Sequence, residues 1–307
     1  MNEIARLPAG VRVFERGWLS ANNILLTGLH GTALVDSGYC THAAQTVGLV
    51  EKALGGRPLD VLINTHLHSD HCGGNSGLQA SYPELKTFIP PGQASLVADW
   101  NPMALTYEPT GQSCPQFRFD GTLIPGSTIC LGDQGWQVLA APGHDAHSVI
   151  LFEEGSRTLI SADALWEVGF GVVFQELEGI DAFHEVAATL DLIESLRPNL
   201  VIPGHGRVFS GTHEALAHAR RRLVAYRNDP ARHATHAAKV LLKFRLLEVQ
   251  RIPLPDLIGW AQDTIYLQIV FTRYFGNLRF ESWIESLVAD LQRSGAARVA
   301  NGVAENT

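Results

Sequence analysis

The chain has 307 residues, 46% apolar and 18% charged. That is enough for one large domain, or one with a smaller appendage, around a sizeable core, and it excludes a largely disordered chain. A formal net charge of −8 disfavours nucleic acid held by bulk electrostatics; a local basic patch would be needed. No apolar run has the length of a bilayer-spanning helix. The opening MNEIARLPAG lacks the apolar stretch of a secretory leader, so the expectation is a soluble cytoplasmic protein with no membrane association.

In chain order, Val11–Arg16 alternates apolar and polar residues and predicts a strand. The apolar runs Asn23–Leu29 and Thr32–Asp36, separated by His30-Gly31, predict a hairpin. Ala43–Leu54 has helical spacing and stops at Gly55-Gly56. Leu59–Thr65 is a β-rich run that ends in THLHSDHCGGN, and Thr87–Ile89 predicts another short strand. Asp99–Gly126 is rich in Pro and Gly and predicts surface loops. Trp136–Ala141 predicts a strand ending in APGHDAHS. Val149–Glu153 and Thr158–Ser161 predict a hairpin ending in Ala162-Asp163, Asp181–Leu196 an amphipathic helix, and Leu200–Ile202 a strand ending in PGHGR.

After about residue 212 the texture changes. Glu214–Tyr226, Lys239–Gln250, Leu254–Gln262 and Phe280–Arg293 predict a nearly all-helical segment. This divides the chain into a catalytic part, 1–212, and a helical C-terminal part, 213–307. The four cysteines, Cys40, Cys72, Cys114 and Cys130, match neither a zinc ribbon nor a CxxC pair, so they are expected to be reduced, packed side chains.

Thirteen histidines exceed ordinary usage, and position shows which matter. His66-Leu67-His68-Ser69-Asp70-His71 places four metal-capable side chains in six residues directly after a strand. His66 and His68 are two apart, so on extended backbone they point to one side and suit one metal. Asp70 and His71 follow on the turn, facing a neighbouring position. His144 in Pro142-Gly143-His144, Asp163 and His205 in Pro203-Gly204-His205 each follow an apolar run as well. Five imidazoles and two carboxylates suit two adjacent divalent ions, with one Asp bridging and open positions left for water. These donors favour zinc and also accept iron or manganese.

The order HxHxDH, PGH, strand-end Asp, PGHG resembles the metallo-β-lactamase superfamily over roughly residues 10–210, with every metal motif present. The resemblance implies an α/β fold, a four-layer αββα sandwich with the site at one edge. It assigns His66, His68 and His144 to one metal and Asp70, His71 and His205 to the other, with Asp163 as the bridge. It also matches Asp36 to an acidic position that supports the site. Asp163 sets the chain apart from true β-lactamases of the family, which typically replace it. The full ligand set resembles that of glyoxalase II-like thioesterases, lactonases and several nucleases; PGHGR looks more like the generic hydrolase and winged-helix-bearing subgroups than glyoxalase II, and the order of C-terminal elements resembles a winged-helix tail. Such a tail serves nucleic-acid binding, covering of the active site, or pairing into a homodimer.

Two ions lower the pKa of a shared water to near neutral and so supply hydroxide to attack an ester, thioester, amide or phosphodiester. Asp70 is the candidate to orient the nucleophile or carry a proton. No G-x-S-x-G offers a serine instead. The leading reading is a hydrolase of a small-molecule carboxyl derivative: thioester, lactone or ester. The alternatives are a nuclease or phosphodiesterase of the same fold, and a mononuclear iron oxygenase of the persulfide dioxygenase type. Among other residues, His147 is either a support for a ligand or a solvated loop residue. Gly169–Phe174 either lines the pocket or forms a buried strand. His213 and Arg220–Arg222 read as a helix start and a solvated helix face.

Overall fold

The computed structural model describes residues 6–307; the first five residues of the opening segment, read above as free of a leader, lie outside the described residues. One sheet takes β1 (Val11–Phe14), β2 (Asn23–Thr27), β3 (Thr32–Val35), β4 (Val61–Ile63), β5 (Lys86–Ile89) and β6 (Gly121–Thr122) in that order. Its first three strands are antiparallel and β3 to β6 run parallel. The parallel pairs need crossovers. Helix α1 (Ala43–Leu54) makes the first, and α2 (Ser69–Cys72) and α3 (Asn75–Ser81) the second, with α4 (Ala94–Ala98) following β5.

The second sheet holds β7 (Thr128–Leu131), β8 (Gln134–Ala140), β9 (Val149–Glu153), β10 (Thr158–Ala162) and β11 (Leu200–Pro203), in the order β11-β10-β9-β8-β7. Only β10 and β11 pair in parallel. Helices α5 (Phe174–Glu178) and α6 (Phe183–Leu196) lie between them, and α7 (Thr212–Asn228) follows β11.

The layering follows from side-chain alternation. Successive strand residues face opposite sides. Ile24, Leu26, Ala33, Val35 and Ile63 meet Val138, Leu151, Ile160 and Ile202 between the sheets. Their neighbours Leu25, Leu34 and Leu62 face outward onto Val50 and Leu54 of α1 and Leu78 of α3. On the far side Ile150, Phe152, Leu159 and Val201 face Val186, Leu190 and Ile193 of α6 and Leu216 and Leu223 of α7. Central strands buried on both faces read as continuous apolar runs, and the result is an αββα sandwich.

The C-terminal part corrects the expectation of a nearly all-helical segment. It contains α8 (Pro230–Val249), β12 (Arg251–Pro253), α9 (Leu254–Asp263), α10 (Ile265–Val270), α11 (Phe280–Arg293), β13 (Ala297–Ala300) and β14 (Val303–Asn306). A third sheet, ordered β12-β14-β13, completes it. Helix, strand, helices and terminal hairpin follow one another in that order. The hairpin escaped periodicity because each strand is four residues long. Helix α8 starts nine residues before the predicted Lys239, where Pro230 opens the first turn and the Asp229 carboxylate accepts from Arg232 N–H. Trp283, Ile284 and Leu287 of α11 pack with Leu241, Leu242 and Leu257 in a separate core. Part-buried hydrogen bonds tie it to the sandwich: Tyr39 Oη donates to Glu248 Oε1 at 2.8 Å, and Tyr266 Oη to Glu178 Oε1 at 2.5 Å. Among the described residues no helix is long and apolar enough to cross a membrane.

Candidate metal centre

Strands β4, β8, β10 and β11 end at one edge of the sandwich, and each is followed by candidate ligands. Loops anchored at strand ends sit on rigid supports. Backbone packing there demands glycine. A Cβ on Gly73 would lie 2.4 Å from Ser69 O, and one on Gly74 2.5 Å from Ser37 O, so the turn carrying Asp70 and His71 sits tight against Ser37. Gly143 has φ 136° and its Cβ would strike Val186 of α6, so the residue before His144 is fixed by helix packing. A Cβ on Gly204 would lie 2.1 Å from Asp163 Oδ1.

All seven predicted residues converge. His66 Nε2 and His68 Nδ1 are 3.1 Å apart, and the ligand atoms of His66, His68 and His144 all lie within 4.8 Å of one another. Asp70, His71 and His205 form a second such group, with His205 Nε2 3.1 Å from Asp70 Oδ2. Asp163 sits between the two. Its Oδ1 is 3.5 Å from His71 Nε2, and its Oδ2 is 3.5 Å from His144 Nε2 and 3.8 Å from His205 Nε2.

The outward ring nitrogens are also engaged. His71 Nδ1 donates to Asp36 Oδ2 at 2.8 Å, and His144 Nδ1 to the Val172 carbonyl at 2.6 Å. Thr65 Oγ1 lies 3.1 Å from His66 Nδ1 and donates to Asp36 Oδ2 at 2.8 Å. Such contacts fix the tautomer and leave a lone pair on the inner nitrogen.

Electrostatics fit cation binding. Burial, reinforced by neighbouring imidazoles, pushes His66 well below its ordinary range. Burial first and then His68 push His144 down to about 4, and burial holds His68 at about 4. These rings are neutral, the form that binds metal. Burial opposes ionisation of Asp163, yet His205, His71 and His144 hold it well below the carboxylate range. Burial likewise opposes protonation of His71, but Asp36, Asp163 and Asp70 hold its pKa well above the ordinary value. Buried His71 Nε2 and His144 Nε2 have no hydrogen-bond partner among the described residues. Orphaned buried acceptors facing an ionised carboxylate are what a bound cation would satisfy. The donor set therefore fits two divalent ions.

The centre forms one end of a cavity of about 620 Å³ whose walls are mostly apolar. Residues with no motif signal complete it. Trp166 Nε1 donates to Asp163 Oδ1 at 3.2 Å, and the Trp18 ring stacks on His205 at 5.3 Å and 9°. The spacing of Trp166, three residues after Asp163, was the available cue for the first; nothing local to Trp18 marks the second. Gly171, Val172 and Phe174 line the cavity, so the GFGVVF stretch is pocket wall rather than strand. His147 is exposed and lies over Gly92, away from the ligands. His213 is exposed. Arg220 pairs with Asp191 and Glu194 on the surface, whereas Arg222 reaches the cavity. Cys72 is buried, with Sγ 3.2 Å from Tyr107 Oη and 3.8 Å from Cys114 Sγ, and all four thiols are free.

Among known proteins, the hydroxyacylglutathione hydrolase of Brucella anthropi is 26% identical over 225 residues, 72% of this chain and 72% of that enzyme. Across the next two relatives of that name the chain spans just under two thirds of their length. A metallo-beta-lactamase family protein of Thermus thermophilus shares the fold at 17% identity and a TM-score of 0.57, covering 98% of this chain and 99% of that one. A protein solved in a di-iron-bound form, TTHA1623, is 25% identical with a TM-score of 0.53, over 69% of this chain and 98% of that one. The family model of the metallo-beta-lactamase superfamily matches residues 16–205, a span that takes in all seven converging residues, and the chain belongs to that superfamily.

Proposed function

We propose that the chain is a dinuclear metal-dependent hydrolase that cleaves a small carboxyl derivative: a thioester, lactone or ester. The observation that carries this is the Asp163 carboxylate, which lies between the two three-residue groups, with Oδ1 beside His71 and Oδ2 beside both His144 and His205. In this reading His66, His68 and His144 hold one ion, Asp70, His71 and His205 the other, and Asp163 joins them. Zinc is the leading candidate, and the same donors accept iron or manganese. Bound there, two divalent ions bring the pKa of water towards neutrality and offset charge developing on a carbonyl oxygen. The protein supplies the rest. Asp36, Thr65 and the Val172 carbonyl orient the imidazoles. Asp70, 15% exposed at the cavity wall, is placed to accept a proton and return it to a leaving group. Trp18 and Trp166 flank His205 and limit the access of bulk water.

The names of the relatives favour a thioester, and the mostly apolar cavity favours a small molecule over a nucleic-acid strand, which would need a basic channel. The second ligand group favours two ions over a single iron. We further propose two functional parts: the sandwich as the catalytic unit and the C-terminal part as a cover that contributes a cavity wall. The sequence put their division at 212/213. Helix α7 packs in the sandwich, and the second core, apart from Val172 and Leu177, is drawn from α8 onward, which favours the turn at Asp229 as the boundary. The reading is tested by turnover of matched thioester, lactone and phosphodiester substrates by the metal-loaded protein. Thioester or lactone turnover supports it; phosphodiester turnover alone would replace it with the nuclease reading.

A further inference from the structure

The cavity runs from the metal centre to helices α7 and α8, and its far wall differs in chemistry from its near end. Val240, Leu241, Phe244 and Leu247 of α8 line it together with Phe174 and Val172. Beside this apolar surface lie Arg222 of α7 and His236 and Lys239 of α8. No carboxylate on this wall matches them. The acids of the cavity are Asp70 and Asp163 at the metal centre and Glu167, which is taken by Arg207.

The cations differ in how far they are satisfied. Lys243, also on the wall, is occupied: it donates to the Ala296 carbonyl at 2.5 Å and to Asn306 Oδ1 at 2.6 Å. Arg222 bonds only the Phe170 carbonyl, at 3.2 Å, and has no carboxylate partner among the described residues. Lys239 lies 3.7 Å from Asp290, a carboxylate also bound by Arg293. His236 reports the local field. Burial first, then Arg222 and Lys239, hold it at about 4, so it is neutral and adds no charge of its own to the wall. Arg222 without a carboxylate partner, beside Lys239 that shares its single carboxylate with Arg293, leaves an excess of positive charge poised for an anionic ligand group.

We propose that the substrate is an amphipathic anion: a carboxyl derivative with its reacting carbonyl at the metal centre, an apolar segment along Phe174, Val240 and Phe244, and a carboxylate or phosphate held by Arg222 and Lys239. This rests on the hydrolase reading and narrows its substrate class. The volume, about 620 Å³, exceeds what a small hydroxyacyl group alone would fill and lies within the range of sites that enclose a drug-sized molecule. It makes the C-terminal part a specificity element, since Lys239 and the apolar wall of α8 come from it.

The test separates binding from turnover. Decanoate, octyl phosphate and the uncharged decanol are titrated calorimetrically into the metal-loaded full chain, wild type and the variants Arg222→Gln and Lys239→Ala. Both anions are expected to bind at least tenfold tighter than decanol. That ratio is expected to fall about tenfold in each variant, the equivalent of about 1.4 kcal/mol for one charged contact. Lys239 is one-third exposed and bonds no backbone, so its variant covers the case in which Arg222→Gln misfolds. If decanol binds as well as the anions, or the ratio survives in Lys239→Ala, the anion is not held here and the proposal is overturned. A carboxylate sitting on the metals instead would give that second result. Thioesters of matched chain length are then assayed with charged and neutral leaving groups. Preference for the charged ester supports the proposal, and equal turnover overturns it while sparing the hydrolase reading. Charge-selective binding lost in the variants, without hydrolysis of any ester, sustains the anion site and sinks the hydrolase.

Discussion

Asp36→Asn isolates the support of one metal group from its ligands. Asp36 does not line the cavity at the metal centre, is 1% exposed and has φ 59°, a conformation that asparagine tolerates, so the exchange adds little backbone strain. Its Oδ2 accepts from His71 Nδ1 at 2.8 Å and Thr65 Oγ1 at 2.8 Å, and its Oδ1 from Thr65 N–H at 2.9 Å. An amide offers one acceptor in place of two. Either the His71 or the Thr65 donor then faces an NH₂ group, and a hydrogen bond to a charged partner is lost, which costs about 1.5–3 kcal/mol. At about 1.4 kcal/mol per decade this predicts roughly 10- to 100-fold weaker metal binding. The loss falls on the group that contains His71. Stepwise competition with a chelator on the purified variant reads this directly: one ion is expected to leave at lower chelator concentration than in the wild type, and the other to stay. Unchanged retention of both ions would refute the role given to Asp36, and equal loss of both would refute the separation into two groups.

Three further outcomes follow from the geometry. Asp163→Asn removes the charge shared by the two groups; turnover is expected to collapse and metal retention to weaken at both positions, and full activity would overturn the bridge. Gly204→Ala sets a methyl 2.1 Å from Asp163 Oδ1; metal content is expected to drop below half while the far-ultraviolet circular dichroism remains that of the wild type. His233 is buried, and burial first and then His236 lower its pKa to about 3. Below an unfolded-state pKa of about 6.5 the unfolded chain therefore takes up a proton that the folded one refuses. His233 costs no stability above that value and removes about 1.4 kcal/mol per pH unit as pH falls from about 6.5 towards 3. His233→Gln keeps an acceptor for Val173 N–H; denaturant melts between pH 6 and 4.5 are expected to show a pH slope shallower by about that amount, and an unchanged slope would contradict the assignment.

The ligand cluster was legible because it is local: HxHxDH fits six residues, and each other ligand closes a strand that apolar content alone marks. Ala43–Leu54 and Phe280–Arg293 carry full helical periods and fall on the observed bounds. What escaped is short or distant. Strand β7, helices α5 and α10 and both strands of the terminal hairpin are each six residues or fewer, too brief for a period to show. The start of α8 carried a readable signal in Asp229-Pro230, masked by the polar, histidine-rich turns that follow. Trp18 reaches His205 across 187 positions, and the α8 wall meets α5 through packing of the C-terminal core. Contacts of that kind depend on tertiary geometry, which local spacing does not encode.

The central claim is the two-ion centre joined by Asp163, and elemental analysis of the purified full-length chain, wild type beside Asp163→Asn, tests it most directly. The account predicts two divalent ions per wild-type chain and fewer than one in the variant. A single iron per wild-type chain, retained when Asp163 is changed, would contradict it.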